Sequence, residues 1–344
     1  MSEKRTEIGQ LGEFGLIDRL SENFTKTNSE TALGIGDDAA LIDSGDHYTV
    51  LSTDMLLEGI HFDLSFMPLQ HLGYKAVAVN VSDIAAMNAT PKQITISLGL
   101  SNRFSVEAVE ELYRGVKAAC ESFNVDLVGG DTTSSGSGLV ISVTAVGVAD
   151  KDKISKRSGA QVDDVICVTG DLGGAYMGLQ VLEREKQVFL SNPNMTPQLD
   201  KYDYIVQRQL KPEARMDIIH ELKDLKVVPS AMIDISDGLA SELFHISKQS
   251  QVGMRIFEDK LPIDKQTYDT GYELNIDATT ATLNGGEDYE LLFTVSKVDM
   301  EKLKKHPDIH FIGDVQELSA GNIMITKGER EVALQAQGWN HFNQ

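Results

Sequence analysis

The sequence predicts two domains of mixed helices and strands, joined near residue 150. Three observations predict it. The chain has 344 residues, too many for one small core and an ordinary length for two domains. Strand-length apolar runs alternate with longer helical patterns in both halves. Between the halves, ADKDKISKRSGAQVDD (149–164) is polar and turn-rich, the best boundary in the chain. The two units are therefore expected at 1–150 and 151–344.

The elements follow in order. Residues 7–22 read as a short helix despite their glycines. HYTVLSTDM (47–55) is a strand running into a polar turn. The stretch 71–89 is rich in Val and Ala, but its length and the spacing of Ala76, Asn80, Asp83 and Met87 favour a helix with Asn80 and Asp83 on one face. ITISLGL (94–100) is a strand, and Ser105 caps a helix through about Phe123 with Glu107 in its first turn. VDLVGGDTT (125–133) is a short strand ending in a Gly-Gly turn, and 139–149 is a long strand. Beyond the boundary come a strand in DVICVTG, a helix to about Lys186, a Pro/Asn-rich loop at 191–198 and two helices. AMIDIS (strand), DGLASELFHISKQ (helix), ELLFTV (strand), a Lys-rich helix near 298–306 and HFIGDV (strand) complete the chain. VSDIAAM (81–87) and ISDGLAS (235–241) share a local pattern, too short to establish a repeat.

Composition excludes some classes. A content of 41% hydrophobic and 24% charged residues is that of a soluble globular protein. No apolar run approaches the roughly 20 residues that span a bilayer. MSEKRTEIGQ has no apolar segment after its basic residues, so no secretory signal is expected. Cys120 and Cys167 form no CxxC or zinc spacing and read as buried thiols of a cytoplasmic protein. The formal net charge of −21 opposes a nucleic-acid partner, since such a surface repels phosphodiesters. It admits small phosphorylated ligands if divalent cations stand between the negative groups.

The acids carry the chemistry. GIGDDAA (34–40) places Asp37 and Asp38 behind two glycines and ahead of an apolar run. Asp54 follows a strand in LSTDM, Asp83 lies in NVSDIAAM, and Asp131 follows Gly129 and Gly130. Asp234 and Asp237 flank a strand-to-helix turn in MIDISDGL. Each acid alone can be an ordinary turn or cap residue, because Asp is favoured there. Together, at the ends of apolar segments, they suit a site built from loops on a rigid scaffold. Carboxylates with Ser and Thr hydroxyls are hard oxygen ligands, suited to magnesium, manganese or calcium. The EF-hand spacing is absent, as are HExxH and clustered histidines, so dedicated calcium and zinc sites are not expected. Neither GxxxxGK[ST] nor the kinase catalytic-loop and DFG patterns occur, and there is no GxSxG. GIGDDA fits GxGxxA, but two carboxylates inside that loop would repel a pyrophosphate resting on backbone amides. Any phosphate chemistry would run through metals held by acids.

At this point the motifs resemble a family. GIGDDAA, STDM with EGIHF after it, YKAVAVNVSDIAAM, VGGDTT, KRSGA, MIDISDGL, NGGEDYELLF and GWNHF stand in the order seen in thiamine-monophosphate kinases. The resemblance covers about 12–342. The wider superfamily includes aminoimidazole-ribonucleotide synthetase and selenophosphate synthetase. The resemblance implies an N-terminal α+β domain (1–150) whose strands pair across a homodimer, and a C-terminal α/β domain (151–344), with ATP in the cleft between them. It implies that Asp38, Ser52, Thr53, Asp54, Asp83, Asp131, Asp234 and Asp237 hold several magnesium ions, with Asp37 as an outer-shell or second ligand. Gly130, Asp131, Arg157 and Ser236 would contact the nucleotide, with Tyr113 a neighbour. His61, Glu287 and Trp339 would bind thiamine monophosphate; Trp339 is the only Trp, and an aromatic face suits a cationic thiazolium. Asp54, Asp131 and Asp234 are the expected catalytic acids. The implied reaction turns ATP and thiamine monophosphate into ADP and thiamine diphosphate, the last step of thiamine diphosphate synthesis. A selenophosphate synthetase would want a reactive Cys in a glycine-rich N-terminal segment, and the first Cys here is Cys120.

Overall fold

The structure is a computed structural model, and it describes residues 6–336. The first half contains α1 (Gly12–Ser21), β1 (Thr31–Leu33), β2 (Ala40–Asp43), β3 (His47–Leu57), α2 (Leu69–Ala86), β4 (Thr90–Leu100), α3 (Val106–Phe123), β5 (Asp126–Ser134) and β6 (Val140–Asp150). Its strands form one sheet in the order β1-β2-β3-β6-β4-β5, antiparallel except for β4 and β5. Helix α2 packs on one face of it. On the opposite face Leu51 and Met55 are exposed, and edge strand β5 is exposed along its whole length.

The second half contains β7 (Val165–Thr169), α4 (Gly174–Ser191), α5 (Asp203–Leu210), α6 (Met216–Asp224), β8 (Ala231–Asp234), α7 (Leu239–Ser250) and β9 (Val252–Phe257). Then come α8 (Lys265–Leu274), α9 (Ala278–Asn284), β10 (Leu291–Val295), α10 (Lys297–Leu303), β11 (Ile309–Glu317), β12 (Asn322–Ile325) and β13 (Glu331–Ala333). These strands form a second sheet, β13-β12-β9-β11-β7-β10-β8, in which only β9 and β12 pair in parallel. Residues 151–164 connect the two sheets.

Helix α2 is the piece the molecule is built around. Fourteen of its 18 residues are buried, which explains a sequence apolar on nearly every side. One apolar cluster runs from Val50 and Ile94 through Val77 and Val81 of α2 to Met232 and Phe293 in the second sheet. Glycines let α3 lie against α2 backbone to backbone. A Cβ at Gly73 would stand 2.0 Å from the Leu112 carbonyl oxygen, and one at Gly115 would stand 1.8 Å from that of Gln70. Ser105 caps α3 as expected, accepting from the Ala108 amide at 3.3 Å.

Two strands differ from the sequence reading in a way that matters for the site. Polar STDM does not end β3, and the Gly-Gly pair does not end β5. Both strands are paired along these stretches, β3 to β6 and β5 to β4, so backbone hydrogen bonding overrides the turn propensity of the side chains. Asp54 and Asp131 therefore lie inside strands. The shared SD pattern falls near the C-terminal end of α2 in one half and in a turn in the other, which removes the suggestion of a repeat. Cys167 is buried, whereas Cys120 is only partly so.

Candidate active site

Three segments bring carboxylates together. Asp38 comes from the turn before β2, Asp83 from α2 and Asp234 from the end of β8. One oxygen of each lies within 4.8 Å of the others. Like charges this close repel, and burial adds to the cost of ionising them. Asp234 is raised to about 7 by burial and then by the charge of Asp38. Asp83 is pushed well above its usual value by desolvation and then by Asp54, Asp234 and Asp38. Asp54 is open to solvent on one side, yet desolvation and Asp38 raise it to about 6.

Helix α2 and strand β3 each supply a hydroxyl that holds one of these acids. Ser82 Oγ donates to Asp234 at 2.6 Å, and Ser52 on β3 donates to Asp83. The Asn80 side-chain oxygen accepts from the Asp54 amide at 3.1 Å, which ties β3 to the helix. The placing of Asn80 with Asp83 was legible in the helical spacing. Ser82 was not, because a serine inside an apolar helix gives no signal until its partner across the cleft is known.

Asp37 and Asp38 separate clearly. Asp37 accepts the backbone amides of Arg157 (3.1 Å) and Asp38 (3.1 Å), so it shapes the turn, and burial raises it to about 7. Asp38 faces the other acids. Its Oδ1 takes the Arg157 guanidinium through Nε at 3.2 Å and Nη2 at 2.7 Å. Its Oδ2 is buried and has no hydrogen-bond partner among the described residues. Arg157 is thus the cation of the acid group, and its pairing with Asp38 was missed by the sequence reading.

The turn after β8 has its own support. Glu242, one turn into α7, accepts the amides of Ser236 at 3.0 Å and Asp237 at 2.8 Å. It satisfies amide donors at the helix entry and fixes the geometry of the SDG turn. Burial and then Asp237 raise Glu242 well above its usual range.

Other expected residues lie apart. Along β3 the side chains alternate, so Ser52 and Asp54 face α2 while Thr53 faces away and donates to the Val143 carbonyl at 3.0 Å. Cross-strand partners put Gly130 in one row with Ile96, Val143 and Asp54, and put Asp131 in the next row with Ser97, Ser142 and Met55. Neighbouring rows point to opposite faces. Within one chain Asp131 therefore lies on the exposed face, three strand spacings, or about 14 Å, across the sheet from Asp54. The reading of Asp131 as one of a single convergent set missed this, because it took both acids as loop residues. Tyr113 lies on α3 beside an apolar groove of about 420 Å³ with Leu100, Phe104 and Val109. His61 sits just past β3, and its Nδ1 accepts the Leu57 amide at 3.0 Å, which places the proton of the neutral ring on Nε2. Glu287 lies in the 285–290 loop against α2, where it pairs with Lys75. Trp339 lies outside the described residues.

The donor set fits a hard divalent cation. It is all carboxylate and hydroxyl oxygen, crowded and largely buried, with one oxygen of Asp38 left without a partner among the described residues. No histidine or cysteine among the described residues belongs to it.

The chain is similar to known proteins along nearly its whole length. Residues 36–149 match the family model of the AIR synthase related protein N-terminal domain, and residues 161–325 match that of the C-terminal domain. The thiamine-monophosphate kinase of Bacillus subtilis (strain 168) is 34% identical over 339 residues, covering 96% of this chain and all of the relative. That of Aquifex aeolicus (strain VF5) is 35% identical over 336 residues, covering 97% and 99%. Among solved structures, AaThiL complexed with AMPPCP and TMP superposes with a TM-score of 0.82 at 32% identity, covering 99% of this chain and 100% of that one. The hydrogenase maturation protein HypE in complex with ATP shares the fold, with a TM-score of 0.67 at 20% identity over 96% of this chain and 98% of that one.

Proposed function

The chain belongs to the thiamine-monophosphate kinases of the AIR synthase related family, and we propose how its cleft performs their reaction. The terminal phosphoryl group of ATP passes to the phosphate of thiamine monophosphate. A phosphate oxygen of the acceptor bonds to the γ-phosphorus, the bond from that phosphorus to the β–γ bridging oxygen breaks, and ADP leaves with the electron pair. The acceptor is already an oxyanion near neutral pH, so no strong general base is needed. The observation that carries the reading is the meeting of Asp38, Asp83 and Asp234 from three distant segments.

Magnesium bound by Asp38, Asp83 and Asp234, with Asp54, Asp237, Ser52 and the turn acid Asp37 around them, would neutralise phosphate oxygens and let two anions approach; Thr53 and Asp131, on the opposite face of the sheet, would reach a metal only across a dimer. The chain's own groups do the rest. Arg157 is held beside Asp38 with its side chain 19% exposed, so part of its guanidinium faces outward for a nucleotide phosphate. Ser236 sits in the Glu242-braced turn, where its exposed hydroxyl can meet the nucleotide. Gly130 and Tyr113 are the further nucleotide contacts. His61, Glu287 and Trp339 are the contacts to thiamine monophosphate. The bare sheet face and the exposed edge of β5 support a homodimer in which strands pair between copies, with Asp131 facing the second copy. No helix among the described residues is long and apolar enough to cross a membrane. The likeness to biosynthetic thiamine-monophosphate kinases supports a cytoplasmic location.

The test is direct. Purified protein is incubated with ATP, magnesium and thiamine monophosphate, with EDTA and substrate-free controls, and both products are measured. Thiamine diphosphate formed in step with ADP, and abolished by EDTA, is expected. ADP without thiamine diphosphate would move the chain to another ATP-using branch of the family.

A further inference from the structure

We propose that Lys75 is a positioning residue that holds Glu287 at the thiamine-monophosphate side of the cleft. The inference rests on reading Glu287 as a contact to that substrate. Lys75 lies in the middle of α2 with no exposed side-chain surface. Its ammonium donates to the Glu287 carboxylate and, at 3.4 Å, to the Gln209 carbonyl. A buried ion pair is seldom more stable than an apolar pair of similar size, so stability alone gives little reason for a lysine here. Its neighbours on α2, Ala76, Val77, Ala78 and Val79, are all buried and apolar.

Glu287 needs holding. Its φ is +63°, and Tyr289 two residues on has a φ of +52°. Non-glycine residues pay on the order of 1 kcal/mol or more for this region and stay there when their surroundings fix them. The surroundings do so residue by residue. The Glu287 amide donates to the Ser236 carbonyl at 2.7 Å, and the Tyr289 amide donates to that of Ile235 at 2.9 Å. Asp288 accepts the amides of Gly173 at 2.8 Å and Ala175 at 3.3 Å, at the entry of α4. The loop is thus stitched to the SDG turn and to α4, both in the second half of the chain. The Glu287 side chain reaches the other way, to α2. Tyr289 Oη donates to its second oxygen at 3.3 Å. With 27% of the side chain exposed, the carboxylate keeps an open edge.

The same helix face makes one more such contact. Ser82, seven residues after Lys75 and so just under two turns on, donates to Asp234. Helix α2 therefore sets two acids of the second half at a fixed separation: Asp234 in the acid group and Glu287 beyond it. On the proposed function, that separation is the one between the phosphoryl-transfer centre and the far part of the acceptor substrate. Losing Lys75 would leave the Glu287 carboxylate with only the longer contacts from Tyr289 Oη at 3.3 Å and Gln209 Nε2 at 3.4 Å, and would leave Asp234 in place.

Steady-state kinetics of the full-length protein test this with Lys75→Met, Lys75→Arg, Glu287→Gln and the Lys75→Met/Glu287→Gln double variant. Lys75→Met is expected to raise KM for thiamine monophosphate about tenfold while KM for ATP moves less than about twofold. Lys75→Arg keeps the charge and should recover most of the loss. The double variant should be no worse than the worse single variant, because both act through one contact. If Lys75→Met does not fold, Lys75→Gln, which keeps a donor without the charge, takes its place with the same readouts. A parallel rise in both KM values, or a lower melting temperature with unchanged kinetics, would reduce Lys75 to a structural residue and overturn the proposal. If Glu287→Gln raises KM for thiamine monophosphate and the Lys75 variant does not, the positioning role alone falls. If Glu287→Gln leaves that KM unchanged, the reading of Glu287 as a substrate contact falls first, and the proposal with it.

Discussion

Glu290 and Asp234 are buried carboxylates on adjoining strands, one just before β10 and one at the end of β8, and their surroundings are opposite. Glu290 accepts from Arg208 at 2.7 Å, Arg215 at 2.5 Å and the Thr169 hydroxyl at 2.6 Å. Arg215 also pairs with Asp217 and Asp308, so acids and guanidinium groups alternate through the cluster. Asp234 accepts from one serine and faces two other carboxylates, with Arg157 beyond them as the cation of the group. In the first group the buried carboxylate meets two guanidinium groups from the chain. In the second, three carboxylates share one, and burial leaves the acids reluctant to ionise. The difference separates a brace from a receptor: an excess of buried negative charge is stable only when a cation arrives from outside.

The sharpest way to break the comparison is to neutralise one member of each group. Asp234→Asn should lower turnover at least about a thousandfold, roughly 4 kcal/mol of barrier, if the acid group carries phosphoryl transfer. The same variant should melt higher than wild type in EDTA, because it relieves like-charge repulsion. A melting temperature that falls instead would mean Asp234 is a brace too. Arg215→Met should act in the reverse sense. It strips Glu290 and Asp308 of a buried partner and should cost about 3 kcal/mol in urea unfolding, with turnover per folded molecule unchanged.

Magnesium supplies a third comparison. At about a hundred times its dissociation constant it should stabilise the wild-type protein by about 2.7 kcal/mol, read as a rise in melting temperature, and give Asp234→Asn much less. Equal shifts in both proteins would place the bound ion elsewhere. The smallest effect concerns a half-buried group that avoids charge altogether. His245, packed edge-on against Phe14 of α1 with ring centroids 4.5 Å apart, is held down to about 4 by burial, then by the charges of Arg157 and Lys248. A lowered histidine favours the fold while neutral. Its contribution is present above pH 6.5 and is lost progressively as pH falls towards 4. His245→Phe should flatten the melting curve across that window; an unchanged slope would mean other groups set it.

Much of this was legible in the sequence, for definite reasons. Helices α2, α3 and α7 and strands β6, β7, β10 and β11 carry apolar patterns long enough to read. The acids stood out because glycines and strand-like runs surround them. What could not be read was what a strand does with a polar stretch. STDM and VGGDTT look like turns, but their backbones are claimed by β6 and β4, and this sends Asp54 and Asp131 to opposite faces of one sheet. Strand β9 and helices α8 and α9 went unread as well. In α8 the sequence KQTYDTGYEL is mostly polar, and its start depends on Asp264 accepting the Gln266 amide at 2.6 Å. The partners of the site residues, Lys75, Ser82 and Glu242, lay inside recognised motifs. Their roles depend on distances of up to 212 residues along the chain, which no local pattern encodes.

The seven-residue interval between Lys75 and Ser82 also limits how the gene can change length. One codon inserted between them would turn the rest of α2 by about 100° and advance it by about 1.5 Å. Either Asp234 or Glu287 would then lose its donor, and the buried face would be out of phase with both sheets. Three or four codons would nearly restore the phase but carry Ser82 about 5 Å past Asp234. Insertions and deletions should therefore be tolerated in the exposed 191–198 loop and be lethal to function within this helix, even where every inserted residue is a good helix former.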